Sequence, residues 1–152
     1  MVDAENLFTD KVFENLYRQF RLAYAKKIFS MIKEREGSLS ASELLSAEVI
    51  FLLERPTVSG FADFLNISSP NAAYKIKNLV EKGYVRRVPS DKDKREFYLE
   101  ITDKFRNYYT ENDTYGAFIL EKIKSSLDEQ EIKRLDGIMR MLMDKVFCNK
   151  EN

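Results

Sequence analysis

Residues 68–102 constrain this chain more than any other stretch, because the apolar pattern changes there from helical to extended across one glycine. Ser69 reads as an N-cap with Pro70 in the first helical position, where its missing N–H leaves no bond unmade. The spacing predicts a helix over Pro70–Lys82, closed by Gly83 as a left-handed C′ residue. Ala72, Ile76, Leu79 and Val80 form the expected buried stripe. The opposite face carries Asn71, Tyr74, Lys77 and Asn78, with no acid in the first two turns. Beyond Gly83 the pattern predicts two strands, Tyr84–Val88 and Glu96–Thr102, the second alternating Phe97, Leu99 and Ile101 with Tyr98 and Glu100. Between them, Pro89–Arg95 is too charged for a core and too long for a two-residue turn.

The preceding residues supply a partner helix. Thr57 reads as N-cap of a short helix, Val58–Leu65, with Val58, Phe61, Ala62 and Leu65 on one face and Asn66 as a left-handed turn residue. The two helices form a helix-turn-helix, and the hairpin after it gives the outline of a winged helix. Upstream, Ser40–Glu43 opens a polar bend and a second helix runs to about Glu54, stopped by Pro56.

At the start of the chain, Phe8, Val12, Phe13, Leu16, Tyr17, Phe20, Tyr24, Ile28, Met31 and Ile32 recur at steps of three and four. They predict one helix over residues 5–35, roughly 45 Å long at about 1.5 Å per residue. After the hairpin, Thr102 is expected to cap a helix containing Phe105, Tyr108, Tyr109, Phe118, Ile119 and Ile123, bent near residues 112–116. Asp128 and Glu131 approximate a capping box for a last helix carrying Met139, Leu142, Val146 and Phe147. The terminal helices carry more apolar surface than a small lobe can cover.

The fold class expected is therefore mainly α with a small β-hairpin wing: a winged helix-turn-helix with long N- and C-terminal helices. One domain is expected over 1–152, its lobe at 39–102 and its flanking helices at 5–35 and 103–148.

Charge sharpens this reading. The chain is formally neutral, with 25 basic and 25 acidic residues. Residues 68–98 nevertheless hold Lys75, Lys77, Lys82, Arg86, Arg87, Lys92, Lys94 and Arg95 against Glu81, Asp91, Asp93 and Glu96. That patch is positive and the rest of the chain is negative, which points to a polyanionic partner at the patch.

Leu79-Val80-Glu81-Lys82-Gly83-Tyr84-Val85-Arg86-Arg87, Asp93-Lys94-Arg95 and Leu99-Glu100-Ile101-Thr102, in that order, resemble the signature of the MarR family of bacterial winged-helix regulators. Phe105 departs from it, standing where the family usually has glycine. Ser46-Ala47-Glu48, before the apolar run from Val49, is similar to the family's apolar-Thr-x-x-acid/Gln entry into its second helix, with Leu45 and Ser46 in the first two places. The resemblance implies an intertwined homodimer through residues 5–35 and 103–148. It also implies a repressor of a pseudo-palindromic operator in double-stranded DNA. The second helix of the pair then enters the major groove with Asn71, Tyr74, Lys77 and Asn78 nearest the bases and Lys75 close by. Ser68 and Ser69 bond phosphate at the helix start, as does Thr57 or Ser59, while Lys92, Lys94 and Arg95 approach the backbone or minor groove. The other reading is a protein-interaction module that uses the same surface on an acidic protein.

Other classes recede. Without histidine the usual general base and metal ligand are missing, so neither catalysis, nor a metal, nor a cofactor is expected. Zinc sensing, found among MarR relatives, leans on such ligands, and peroxide sensing uses a cysteine near the N-terminus. The single cysteine here is Cys148, which fits a reducing cytoplasm. No signal peptide or membrane span is read from the pattern. A small-molecule effector is consistent with the family. Its candidate lining is Phe13, Tyr17, Phe20, Tyr24, Phe51 and Tyr109, with Phe105 beside them, and an apolar or phenolic compound would suit them. An aromatic stripe at helical spacing is more often core.

Overall fold

The computed structural model describes residues 10–32, 38–90, 95–110 and 114–147. They fall into two compact units, one up to residue 113 and one from residue 114.

The first unit contains α1 (Asp10–Met31), α2 (Ala41–Leu52), α3 (Val58–Leu65), α4 (Ser69–Glu81), β1 (Val85–Pro89), β2 (Phe97–Ile101) and α5 (Asp103–Thr110). The second contains α6 (Thr114–Ser126) and α7 (Glu129–Leu142), which continues as a π-helical turn, Met143–Phe147. The fold is mainly helical with one antiparallel hairpin, the winged helix-turn-helix expected from the pattern.

Capping sets the helix limits. Ser40 and Glu43 form a full capping box at the start of α2, where the sequence suggested only a polar bend. Leu45, Ser46 and Glu48 therefore lie inside α2, not at its start, and Ser46 and Glu48 are buried. Thr57 caps α3 through the Gly60 N–H, and Asn66 ends it in the left-handed region, both as expected. The N-cap of α4 is Ser68, one residue earlier than expected, so Ser69 is already helical and Pro70 follows it. Lys82 is the C-cap and Gly83 follows at φ +74, which a side chain would strain. Asp128 and Glu131 complete a capping box at α7.

Three other expectations need correction. The first helix ends at Met31, with Ile32 outside it, and its described part has 22 residues, about 33 Å at the standard rise; the expected residues 5–9 and 33–35 lie outside the described residues. The helix expected after the hairpin is two helices, α5 and α6, and the poor helix formers near residue 112 fall between them. Thr102 does not cap α5 with its side chain: its hydroxyl donates to the Gly83 carbonyl at 2.7 Å and ties the base of the hairpin to the end of α4.

The core gathers where α2, α3, α4, the hairpin and α5 meet. Phe61, Leu44, Ile50, Ile76, Leu79 and Leu99 are fully enclosed. Phe105 is enclosed as well and packs against Phe51, Tyr84 and Tyr109. A ring thus fills the start of α5 where the family usually has glycine. On α4 the buried stripe is Ala72, Ile76 and Leu79; Val80, expected with them, is 36% exposed at the rim.

In the hairpin, Val85 pairs with Ile101 and Arg87 with Leu99, while Arg86 pairs with Glu100 and Val88 with Tyr98. Cross-strand partners share a face. Val85, Leu99 and Ile101 are buried, so theirs is the packing face. Pro56, which ends the α2 connection, also extends the sheet: its carbonyl accepts from Leu99 N at 2.8 Å, and Thr57 bridges to Tyr98. Just before it, Glu54 and Arg55 both adopt positive φ, a strained choice for side-chain-bearing residues. Arg55 is held there by Glu100 at 2.8 Å and by the Tyr98 ring.

Among the described residues, no helix is long and apolar enough to cross a membrane.

Candidate nucleic-acid interface

The α3–α4 pair presents one face of α4 outward. Asn71, Tyr74 and Lys77 are exposed and Asn78 is half-buried. The first turn of α4 holds no acid. Ser68 and Ser69 are exposed at its start, and the Ser68 oxygen accepts the Asn71 N–H at 3.4 Å. This face exists because burial of Ala72, Ile76 and Leu79 fixes the helix rotation, leaving the i+2 and i+5 positions in solvent. Tyr74 is 67% exposed, far more than a phenol kept for packing.

The cations that looked alike in the sequence are not alike in space. Lys75 points to α2 and donates to Ser42 Oγ at 2.8 Å. Lys82 donates to Glu43 Oε2 and to the Ser38 carbonyl, clamping the end of α4 to the start of α2. Burial alone would raise the Glu43 pKa, but the bonds from Lys82 and Ser40 outweigh it and hold the carboxyl below its usual range. Lys77 lies 3.6 Å from Glu81 one turn on. Arg86 binds Glu100, whose other oxygen takes Arg55. That Arg86 hydrogen bond, opposed by some burial and supported by the two positive charges, keeps Glu100 below the ordinary carboxylate range. Much of the positive patch is therefore spent on internal bracing.

Arg95 stands on the return limb of the hairpin, next to Glu96, whose carboxylate accepts from Ser59 at 3.3 Å. A groove of about 370 Å³ runs between α3, α4 and the hairpin, lined by Ser59, Ser69, Ala73, Arg87, Arg95 and Phe97 among others. A second, of about 480 Å³, follows α4 past Tyr74, Lys77 and Val80 to the same Arg87. Arg87 is the residue that the reading of the sequence left out of the site. The signal for it was the strand alternation, which puts it on the same side of the hairpin as Val85, at the exposed edge of that side. Lys92 and Lys94 lie outside the described residues, as does Cys148.

The six aromatic residues expected to line an effector site divide into two groups. Phe13, Tyr17 and Phe20 are all more than half exposed on α1, with the Phe13 and Tyr17 rings parallel at 6.2 Å. Tyr24 and Tyr109 gather instead at buried Glu48, with Phe51 packed against the Tyr109 ring. Tyr24 donates to one carboxylate oxygen at 2.5 Å, Tyr109 to the other at 2.9 Å, and Lys27 lies 3.8 Å away with its ammonium over the Tyr109 ring. Burial, then the Glu48 bond and charge, push the Tyr24 hydroxyl pKa well above its ordinary value. A separate cleft of about 730 Å³, beside Arg55, Arg86 and Arg106, includes Phe51 but none of the other five.

Among the described residues no cluster of His, Cys, Asp and Glu is arranged to hold a metal.

A helix-turn-helix with a reader helix exposed beside a β-hairpin defines a winged-helix protein. Residues 48–96 match the model of the MarR family. The HTH-type transcriptional regulator YkoM of Bacillus subtilis is 28% identical over 127 residues, covering 83% of this chain and 82% of that protein. Among solved structures, transcriptional regulator Tm0710 of Thermotoga maritima superposes with a TM-score of 0.62 at 18% identity, covering 93% of this chain and all of that one. FabT of Streptococcus pneumoniae, solved in complex with DNA, gives 0.57 at 25% identity, covering 88% and 96%. The chain thus has the winged-helix fold of these regulators, and over residues 48–96 it is similar to the MarR family.

Proposed function

We propose that this protein is a homodimeric repressor that binds a pseudo-palindromic operator in cytoplasmic double-stranded DNA and is released by a small apolar or phenolic compound. The observation that carries the reading is the outward face of α4. An acid-free first turn presents Asn71, Tyr74 and Lys77 to solvent beside the hairpin. Amide and phenol groups in that position suit base edges, and the serines at the helix start suit phosphate. The complex of FabT with DNA supports the same use of the fold here.

Dimerisation is supported by apolar surface left uncovered within each unit. On α1, Val12, Phe13, Leu16, Tyr17 and Phe20 are each more than half exposed. The helix α7 buries no residue, and Ile138, Met139, Leu142, Met143, Val146 and Phe147 all face solvent. A second copy covering these faces would take these apolar side chains out of solvent. The lobe of residues 39–102 then reads DNA while residues 5–35 and 103–148 hold the dimer. The exposed rings of α1 and the Glu48 cluster are where an effector would act.

The test is selection of bound fragments from the source genome, followed by a salt titration of the winning duplex. A palindromic site with steep salt dependence is expected. Failure to enrich any fragment, together with capture of an acidic protein by the same face, would replace this reading with that of a protein-interaction module.

A further inference from the structure

Of the two arginines of β1, Arg87 is exposed and, among the described residues, has no hydrogen-bond or ion-pair partner. Arg87 shares the hairpin face with Val85, Leu99 and Ile101, all buried. Its neighbour Arg86 points the other way and is taken up by Glu100. Among the described residues of the lobe the other cations are engaged: Lys75 by Ser42, Lys77 by Glu81, Lys82 by Glu43, Arg55 by Glu100. Arg87 alone makes no hydrogen bond, ion pair or ring contact there. Glu81 and Glu96 line the grooves beside Arg87, but neither is bonded to it, and an exposed guanidinium with no bonded acid fits an anion supplied from outside.

The surroundings say which anion. Arg87 borders both grooves that flank α4, the one toward α3 and the one along the reader face. Ala73 lines both as well, and its single methyl lets a backbone approach closely. The hydroxyls of Ser59 and Ser69 stand along the first groove. With α4 in a major groove, this is where the sugar-phosphate strand bordering that groove would pass before the hairpin is reached. We propose that Arg87 binds a DNA phosphate there and so fixes the register of α4 against the hairpin. This rests on the DNA-binding reading above.

Salt titration of binding to a labelled mixed-sequence duplex tests it, with the full chain as wild type, Arg87→Gln, Arg87→Lys and Arg86→Gln. Arg87→Gln is expected to weaken binding about ten-fold and to lower the slope of log K against log salt by about one. Arg87→Lys keeps the slope, Arg86→Gln keeps it too, and the melting temperature of Arg87→Gln matches wild type. If Arg87→Gln binds with the wild-type slope and affinity while wild type binds DNA, the assignment is overturned and the regulatory reading stands. An early melt with an unchanged slope also overturns it, by making the role structural. A wild-type chain that binds no duplex removes both readings together.

Discussion

The Tyr109 hydroxyl donates to Glu48 Oε1 at 2.9 Å, joining residues 61 positions apart in the chain. Tyr24 reaches the other oxygen and Lys27 lies alongside, so three helices, α1, α2 and α5, meet on one buried carboxylate. A carboxylate 3% exposed is stable only if its oxygens are satisfied. The cluster therefore locks the long first helix onto the lobe.

Removing one donor should show this directly. Tyr109→Phe is expected to cost about 1–3 kcal/mol, the range for a bond to a charged group. Glu48→Ala is expected to cost more, about 3–5 kcal/mol, because it removes the buried charge that Lys27 and two phenols share. Thermal melts of the two variants check the order. Equal, small shifts would mean that water replaces the carboxylate without loss.

On α4, Asn78→Ala and Tyr74→Ala should change the preferred DNA sequence, each by about 1–3 kcal/mol against the wild-type site. Lys77→Ala should weaken binding evenly across sequences. Lys75→Ala should change the salt slope little, because Lys75 serves Ser42. Binding selection on each variant separates these outcomes. Unaltered preference in both the Asn78 and Tyr74 variants would place the reading face elsewhere.

Met139 and Leu142 are 57% and 44% exposed on α7. Converting both to Glu leaves the folded subunit little changed but would bury two unpaired charges in a dimer, at a cost of several kcal/mol. Sedimentation should show a folded monomer. An intact dimer of unchanged affinity would remove α7 from the interface.

Acid should weaken the lobe through Glu100 and Glu43. Both carboxyls are held below their usual range in the folded protein. Their stabilisation is thus fully present above the unfolded value, about 4.3, and is lost as pH falls through the lower folded value. Glu100→Gln should lower the melting temperature at neutral pH and flatten its fall in acid. Melts across that pH window decide, and an undiminished acid transition in the variant would shift the effect to other carboxyls.

Local signals were enough for much of this protein. Thr57, Asn66, Gly83 and the Asp128–Glu131 pair mark ends that depend on only a few neighbouring residues. The alternation Phe97, Leu99, Ile101 fixes the hairpin, since one face of a strand must be buried. The outward residues of α4 follow from the same periodicity. What the sequence could not disclose is which charge meets which. Lys75, Lys82, Arg86 and Arg87 are one basic run to a reader of the chain. Only packing turns the first two toward α2, the third to Glu100, and leaves the fourth between α4 and the hairpin. Nothing in the pattern marked Glu48 as buried, and Tyr24 and Tyr109 read as a ligand's lining, until three helices converged. Periodicity reports burial along one element, whereas an ion pair or a buried network is set by side chains tens of residues apart, and tertiary packing alone chooses those partners.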